Sequence, residues 1–547
     1  MTGTVEALRA PVSRVEADIE ARWRMRGFHT DERLGWMLED RATATPERVA
    51  TITSTRTVTY DALQEQSSAV ARTLIAAGVQ PGEVVCWMLP TDADAIAVAS
   101  AIWRIGAVSS PIVPIYGVHE VAGVVAQVRP AAVITNAHGR VGSDGRARAL
   151  ADEIDEALAT AQHRPRARLL VDGAVAGWRS ATAEGPGALP GAVTPSAPED
   201  PCLVLFTSGT ESAPKGAVHT TRGIAHELRS CITEWGVTFR DRMFMASPMT
   251  HITGLLQGFL IPTRAGGASV LMDRWSGAEA VDLIERTQAT YMAGATPFLR
   301  ELLQSYAANG SHRSSLVQYC CGGAAVPPEL VRSADELGIA AYRAWGMTEL
   351  STSTLPSERD PLDARAETDG PLAPGVELRV VGDDGEELDP GEIGALQLRG
   401  PEMFVGYLDE TANERCFRPG GWFDTGDVGM LGADGYVRIS GRSKEIINRG
   451  GEKFSVREIE ELVARHPDVD AVAVVPVPGG RLGERIGAVI VSRNPSLTAA
   501  DIGAFITGLG AARQKQPEEV VLVDAIPMNS TGKVDKRSAL ALFAGSV

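Results

Sequence analysis

The sequence lacks any long apolar run, and its N-terminal stretch lacks the pattern of a secretory leader. A membrane-spanning helix needs about 20 mainly apolar residues, and a leader carries a short apolar stretch behind a basic segment. The opening stretch, MTGTVEALRAPVSRVEADIEARWRMRG, instead mixes acidic and basic side chains throughout. We therefore expect a cytoplasmic protein that does not interact with a membrane.

The sequence has fewer basic than acidic residues. The chain has 52 Lys and Arg residues against 69 Asp and Glu residues, which gives a net charge of −17. An acidic surface repels nucleic acids and anionic lipids, so this composition argues against both as general partners. Any anionic ligand must therefore be held by a local site.

Cysteine is scarce, with six residues in a chain of 547. None of them forms a CxxC pair, and the adjacent Cys320 and Cys321 do not suggest a disulfide framework. We interpret the cysteines as mainly buried thiols in a reducing compartment, without a metal or redox role.

The chain is too long for one hydrophobic core, and its pattern of apolar and polar residues is typical of an α/β protein. Short strand candidates alternate with amphipathic helical stretches such as residues 60–78, which favours parallel sheets. A β-rich segment begins near residue 376, and a last unit of helices and strands begins near residue 445. The strand candidates are 83–89, 131–136, 167–173, 202–206, 268–272 and 289–294.

Residues 206–219, FTSGTESAPKGAVH, place hydroxyl groups, glycines and one lysine directly after the apolar run CLVLF. A loop of this kind offers backbone N–H groups, hydroxyls and the Lys215 charge to phosphate oxygens. The common GxxxxGK[S/T] loop is absent from the chain, so a different phosphate-binding motif is predicted.

The stretch LVLFTSGTESAPKG resembles the phosphate-binding signature of the adenylate-forming superfamily, which includes acyl-CoA synthetases, luciferases and peptide-synthetase adenylation domains. Four further matches follow in the family's order, and together the five span most of the chain. They are CCGGAAV (320–326), AWGMTE (344–349), WFDTGD (422–427) with GRSKEIINRGGEKFSVREIE (441–460), and IPMNSTGK (526–533).

The resemblance implies an α/β fold with a large N-terminal domain, made of α/β subdomains and a β subdomain, and a small mobile α+β C-terminal domain. The large domain would cover residues 1–440 and the small domain residues 445–547. The hinge would be residues 441–444, which include Lys444.

The resemblance also implies ATP-dependent activation of a carboxylic acid to an acyl-adenylate with release of pyrophosphate, followed by transfer to CoA. The cofactors would be ATP, Mg²⁺ and CoA, with Glu349 as the Mg²⁺ carboxylate and Thr348 at the α-phosphate. Trp345 stands where most relatives carry tyrosine and would stack on adenine through its flat indole ring. The nucleotide-binding residues would be Thr207, Ser208, Gly209, Thr210, Lys215, Gly323, Ala324, Trp345, Thr348, Asp427 and Arg442.

By the same resemblance, His251 would lie beside the substrate carboxylate, and Gly294 and Gly322 would line the acyl pocket. Amino-acid-activating relatives usually place an aspartate in the region of SPMTHITGL, and none is present here. We therefore expect a bulky aliphatic, alicyclic or aromatic acid rather than an α-amino acid.

Lys533 resembles the C-terminal catalytic lysine that bridges the carboxylate and the α-phosphate. Gly450 and Gly451 resemble the loop glycines beside the CoA tunnel, where a thin chain must pass close to the backbone.

Two alternatives stay open at this stage. The chain could stop at the acyl-adenylate and pass it to an acyl-carrier protein or another enzyme. From another class, it could be a non-catalytic nucleotide-binding or scaffold relative, although Lys215, Glu349, Asp427 and Lys533 are all intact. A homodimer is a further arrangement that the sequence leaves open.

Overall fold

The computed structural model describes residue 8 and residues 14–137, 139–141, 147–189, 193–207, 214–323, 326–442, 446–449, 452–478, 484–509, 511–528 and 534–543. Some residues singled out in the sequence lie outside these ranges. They are Ser208, Gly209, Thr210, Ala324, Lys444, Gly450, Gly451 and Lys533.

The first large sheet has seven strands and is parallel except at one edge. Their order is Ala340–Arg343, Gln318–Cys321, Tyr291–Gly294, Arg242–Met245, Ala268–Leu271, Val49–Ile52 and Thr57–Thr59, of which the last two pair antiparallel. The connecting helices include Gly277–Thr287, Thr296–Ala308, Pro328–Glu336 and Leu362–Glu367.

The second large sheet has eight strands and ends in an antiparallel hairpin. Their order is Gly406–Tyr407, Lys215–Thr220, Pro201–Thr207, Val108–Pro111, Val84–Met88, Ala132–Thr135, Ala167–Leu170 and Arg179–Ser180. From Pro201–Thr207 onward every pairing is parallel. The helices Val118–Val128 and Leu150–Thr160 pack on its outer face.

The largest hydrophobic core joins the facing sides of the two sheets and the helices between them. Strand Val84–Met88 shows why: Val85 and Trp87 face this core, whereas Cys86 and Met88 face the outer helices. Both faces of a parallel strand are therefore apolar, as the sequence pattern predicts. The inner helices are Tyr60–Ala76, Ala93–Arg104, Thr221–Trp235, Ile252–Leu255 and Ile261–Ala265, with a π-helical turn at Leu256–Leu260.

The β-rich segment predicted from near residue 376 forms an antiparallel sheet. Its strands are Glu377–Val381, Gly394–Arg399, Trp422–Leu431, Phe417–Arg418 and Val437–Arg442. The last strand runs through the predicted domain boundary at residue 440 and includes the first two residues of the predicted hinge.

The C-terminal unit has hydrophobic clusters of its own, built around Ile459, Val474 and Ile490, and around Val475, Val489 and Phe543. Its strands are Ile446–Arg449, Glu452–Ser455, Val469–Pro478, Glu484–Ser492 and Glu519–Leu522, and its helices are Val456–Ala464, Ala499–Gly508 and Lys536–Ala541. Within the described ranges, no helix combines the length and the apolar character that crossing a membrane requires.

A buried ion cluster joins this C-terminal unit to the rest of the chain. The carboxylate of Asp369 accepts bonds from Arg457 at 3.0 Å, from Arg343 at 3.3 Å and from the backbone N–H of Ile439 at 2.8 Å. Arg457 belongs to helix Val456–Ala464, while the other partners precede residue 440. Burial alone would raise the pKa of Asp369, but Arg457 and Arg343 together hold it below its usual value.

Arg457→Met is expected to lower the free energy of unfolding by about 1.5–3 kcal/mol, because one charge-assisted contact to Asp369 is lost while Arg343 remains. A lowered carboxyl pKa gives stability that is present above the unfolded value near 3.8 and is lost as pH falls through the folded value. Urea unfolding between about pH 5 and pH 3 should therefore show a shallower loss of stability in the variant than in the wild type.

Arg465→Met is the matched control. Arg465 pairs with Glu329 at 3.4 Å, and their side chains are 40% and 60% exposed, so water screens the pair. Its removal should change stability by less than about 1 kcal/mol. Equal effects of the two substitutions would contradict a special role for the buried cluster.

Candidate active site

The predicted phosphate loop lies at the turn of a hairpin. Strand Pro201–Thr207 pairs antiparallel with strand Lys215–Thr220, and Thr207 stands opposite Lys215. The strand residues before Thr207 are buried, whereas Lys215 is exposed. The residue types change from apolar to polar because the strand leaves the core at this point. Ser208–Thr210 lie outside the described residues.

Lys215 lies close to a buried carboxylate through a tyrosine. Its ammonium nitrogen is 5.4 Å from the centre of the Tyr407 ring, which is within the range of a cation–π contact. The hydroxyl of Tyr407 donates a short hydrogen bond to Oε1 of Glu349. Strand Gly406–Tyr407 pairs with Lys215–Thr220, so the sheet fixes this arrangement.

Glu349 combines burial with nearby positive charge. The residue is 8% exposed, and burial raises the pKa of its carboxyl above the usual value. The hydrogen bond from Tyr407 and the charges of Arg442 and Lys215 act in the opposite direction. A carboxylate in these surroundings can exchange its proton for a metal cation.

The segment that carries Glu349 is held by buried polar groups. The His219 ring bonds the backbone of Thr348, and burial lowers the pKa of His219 to about 4, so it is neutral at pH 7. Behind the segment, the Glu227 carboxyl accepts a hydrogen bond from Ser351 at 2.6 Å, and burial raises the pKa of Glu227 to about 7. These contacts position the carboxylate.

Trp345 and Asp427 lie 82 residues apart in sequence but are in direct contact. The indole Nε1–H donates to Oδ2 of Asp427 at 2.8 Å, and Nε of Arg442 lies 3.2 Å from Oδ1. Trp345 and Asp427 are buried, while the Arg442 side chain is 62% exposed. The sequence suggested only a stacking role for Trp345, and the structure adds a hydrogen bond that orients the carboxylate.

The predicted acyl-pocket glycines are neighbours. The N–H of Gly322 donates to the carbonyl of Gly294 at 3.3 Å, and a Cβ on Gly322 would lie 3.1 Å from the carbonyl oxygen of Ala344. Gly322 thus approaches the chain immediately before Trp345. Gly323 follows with φ of +82°, a conformation that favours glycine. His251 stands immediately before helix Ile252–Leu255.

The structure brings together five predicted residues, Lys215, Trp345, Glu349, Asp427 and Arg442, in one connected cluster. Gly294 and Gly322 border it through Ala344. Tyr407, His219 and Glu227 were missed by sequence reasoning. Their roles depend on long-range pairing of strands and helices. Tyr407 and Glu227 stand in no motif, and His219 ends the stretch 206–219 without having been singled out in it.

Trp345→Phe is expected to raise the KM for ATP about tenfold, because the aromatic face stays while Asp427 loses a donor to a charged group. Trp345→Ala should raise it further, since the ring face is also lost. Steady-state kinetics with varied ATP measures both values.

Trp275→Phe serves as the control, because Trp275 Nε1–H also donates to a carboxylate, that of Glu301, at 2.6 Å. That pair is not among the contacts of the cluster. Its substitution should leave the KM for ATP unchanged. If Trp345→Phe behaves like this control, the bond to Asp427 does not contribute to nucleotide binding.

Among the described residues, no group of three or more His, Cys, Asp or Glu side chains is arranged to hold a metal ion. Mg²⁺ often takes only one or two protein carboxylates and completes its shell with water and phosphate oxygens. A single buried carboxylate near a phosphate loop, as Glu349 is, fits that mode of binding.

Comparison with known proteins gives matches along most of the chain. The AMP-binding enzyme family matches residues 38–408, and the AMP-binding enzyme C-terminal domain matches residues 458–533. The medium-chain fatty-acid–CoA ligase of Escherichia coli (strain K12) is 32% identical over 535 residues, which cover 94% of this chain and 91% of that protein.

Two further similarities cover both units. A salicylyl-CoA synthase / salicylate adenylyltransferase of a Streptomyces species is 30% identical over 532 residues, which cover 94% of each chain. The structure of ATP-bound MatB from Rhodopseudomonas palustris has a TM-score of 0.82 and 27% sequence identity, and it covers 94% of this chain and 99% of that one.

Proposed function

Because the chain belongs to the AMP-binding enzyme family, we propose that its substrate is an aliphatic, alicyclic or aromatic carboxylic acid and that the cluster around Glu349 activates it. The protein is an AMP-forming acid–thiol ligase that uses ATP, Mg²⁺ and CoA. One observation supports the assigned site above all: Lys215 and Arg442 flank the buried carboxylates of Glu349 and Asp427 in a single cluster.

Charge explains why such a cluster suits the reaction. An oxygen of the substrate carboxylate attacks the α-phosphorus of ATP, and the bond from that phosphorus to the bridging oxygen of pyrophosphate breaks. Two anions must meet in this step, so neutralisation and positioning dominate the barrier.

The phosphate side of the proposed site consists of the hairpin and the Glu349 segment. Thr207, Ser208, Gly209, Thr210 and Lys215 would hold the β- and γ-phosphates. Glu349 would ligate Mg²⁺, which neutralises phosphate charge, and Thr348 would contact the α-phosphate. Tyr407 and His219 would position these groups through their bonds to Glu349 and to the backbone of Thr348.

The nucleoside side consists of Trp345, Asp427 and Arg442, with Gly323 and Ala324 on the opposite face of the base. The carboxylate of Asp427 would accept bonds from the ribose hydroxyls. Since the Trp345 N–H already holds Oδ2, the carboxylate is oriented before the ribose arrives, which lowers the entropic cost of binding.

The acid would bind between His251 and the glycine pair Gly294 and Gly322. A Cβ on Gly294 would push against Tyr319 and one on Gly322 against the carbonyl of Ala344, so the packing of the chain itself favours glycine at both positions.

For the second half-reaction, the thiolate of CoA attacks the acyl carbonyl carbon, and AMP leaves. We propose a large domain at residues 1–440, a hinge at 441–444 that includes Lys444, and a small domain at 445–547. Rotation of the small domain would replace Lys533 with Gly450 and Gly451 at the site. The separate core of the C-terminal unit supports this division.

A second candidate is adenylation followed by transfer to an acyl-carrier protein. The Streptomyces relative is described as a salicylate adenylyltransferase as well as a salicylyl-CoA synthase, which supports this candidate. A cytoplasmic location and a homodimer stay predictions.

The test is pyrophosphate release over a panel of carboxylic acids, each with and without CoA, with product masses read directly. We expect acid-dependent pyrophosphate release and an acyl-CoA product. Acyl-AMP accumulation with CoA present would support the carrier-protein candidate. No release with any acid would support the scaffold alternative and contradict the proposed roles.

A further inference from the structure

The strand Gly406–Tyr407 forms one edge of the second large sheet, and it pairs with strand Lys215–Thr220 on its inner side. The backbone N–H groups of Val405 and Leu408 donate to that neighbouring strand, both at 2.9 Å. The backbone N–H and carbonyl of Tyr407 instead bond to a side chain. An edge strand needs such partners, because its outer backbone groups have no strand beside them.

Asn413 supplies both partners. Its Oδ1 accepts from the N–H of Tyr407 at 2.7 Å, and its Nδ2 donates to the carbonyl of Tyr407 at 2.9 Å. Because a backbone N–H only donates and a carbonyl only accepts, these two bonds fix which end of the amide is oxygen and which is nitrogen. The side chain thus makes the pair of bonds that a residue of a neighbouring strand would make.

The Asn413 amide is itself held in place. The residue is fully buried on helix Glu410–Cys416, and its Nδ2 also donates to Oε2 of Glu410 at 3.0 Å. A Cβ on Gly406 would stand 3.1 Å from Oδ1 and 3.3 Å from Nδ2 of Asn413. Glycine at this position therefore lets the amide reach the Tyr407 backbone.

Tyr407 links this amide to the proposed site. Its hydroxyl donates to Oε1 of Glu349, and the centre of its ring lies 5.4 Å from the ammonium nitrogen of Lys215. The hydroxyl stands at the far end of the ring, so a small rotation of the Tyr407 backbone changes the geometry of its hydrogen bond, which weakens steeply with angle. We propose that Asn413 is a positioning residue for the phosphate side of the site: through the backbone of Tyr407 it fixes the side chain that contacts both Lys215 and Glu349.

This inference rests on the proposed function, because it concerns the groups that would hold the phosphates. Asn413 lies outside the five motifs of the sequence, and the bonds of its side chain go to Tyr407 and Glu410. Its effect on the phosphates must therefore pass through the Tyr407 side chain. A double-mutant cycle between the two residues tests this dependence.

The experiment measures the affinity for ATP in the presence of Mg²⁺ by calorimetry, without acid, so that no turnover takes place. Asn413→Leu removes both bonds to the Tyr407 backbone at similar size. It should weaken ATP binding by about 5- to 30-fold, the equivalent of one or two net hydrogen bonds. Steady-state kinetics should show the same loss as a higher KM for ATP, with the KM for the acid unchanged.

Two comparisons separate positioning from folding. In a Tyr407→Leu background, Asn413→Leu should change ATP affinity by less than about twofold, since the side chain through which it acts is gone. Glu410→Gln is the control: it breaks the ion pair of Arg14 with a carboxylate that is 66% exposed, but it keeps an acceptor oxygen for Asn413. Water screens that ion pair, so this variant should bind ATP as the wild type does. Asn413→Ala, which favours the helix, replaces Asn413→Leu if the leucine variant does not fold.

The outcomes separate the two proposals. Wild-type ATP affinity in the Asn413 variant, or equal losses in the wild-type and Tyr407→Leu backgrounds, would overturn the inference and leave the proposed function intact. A loss in Glu410→Gln as large as in the Asn413 variant would also overturn it, because the surface ion pair would then set the position of Tyr407. Failure of the wild type to release pyrophosphate with any acid would overturn the proposed function and the inference with it.

Discussion

Glu349→Gln is expected to lower kcat/KM for adenylation by about 10²- to 10³-fold, the usual effect of removing one electrostatic contact to a transition state. The amide keeps the shape of the side chain but cannot balance the charge of Mg²⁺. The variant should also need a higher Mg²⁺ concentration for half-maximal rate. Pyrophosphate release with varied Mg²⁺ measures both effects.

The raised pKa of Glu349 adds a pH dependence with a definite sign. Mg²⁺ competes with the proton for this carboxyl, so the apparent affinity for Mg²⁺ should fall as pH is lowered through the raised pKa. Glu349→Gln should lose this dependence, because the amide does not titrate.

Tyr407→Phe is the matched comparison. It keeps the carboxylate and removes the hydroxyl whose hydrogen bond lowers the pKa of Glu349. The fall in Mg²⁺ affinity should therefore begin at a higher pH than in the wild type, while the rate at saturating Mg²⁺ stays within about tenfold. If Glu349→Gln keeps the wild-type Mg²⁺ dependence, the metal role of this residue is wrong.

Much of the fold follows from the sequence because the strands are apolar on both faces. All six strand candidates overlap observed strands, and the helical pattern at 60–78 corresponds to helix Tyr60–Ala76. The β-rich segment that begins near residue 376 is also confirmed. Local composition is sufficient here, since burial on one or both faces leaves a direct periodic signal.

The contacts between distant segments could not be predicted in this way. Tyr407 and Glu349 are 58 residues apart, and no periodic pattern links them. The pairing of Gly406–Tyr407 with Lys215–Thr220 places Tyr407 beside both Lys215 and Glu349. The motifs identified the residues, whereas the sheet order determined which of them touch.

Lys536, in the C-terminal unit, is another residue whose contacts the sequence does not predict. It stands three residues after Lys533, and the sequence gives no physical reason to separate the two lysines. In the structure, the ammonium of Lys536 bonds the carboxylate of Glu460 and, at 2.9 Å, the carbonyl of Val474. Lys536 therefore fixes helix Lys536–Ala541 to the sheet.

Lys533→Ala is expected to abolish adenylate formation from acid and ATP while leaving thioester formation from a supplied acyl-adenylate within about tenfold of the wild type. The proposed role explains the difference, because Lys533 balances charge between the carboxylate and the α-phosphate only in the first step. After rotation of the small domain it would no longer face the site. The two half-reactions are measured separately, as pyrophosphate release and as acyl-CoA by mass.

Gly451→Trp should show the opposite pattern, because an indole beside the proposed CoA tunnel obstructs the thiol without touching ATP chemistry. Lys536→Ala is the control: it removes a lysine of the same unit whose contacts are structural, so it should lower stability and affect both half-reactions alike. Opposite selectivity in Lys533→Ala and Gly451→Trp supports one site used in two domain orientations. Parallel loss of both half-reactions in each variant, as in the Lys536→Ala control, would mean that the C-terminal unit acts only through stability and that domain rotation does not separate the steps.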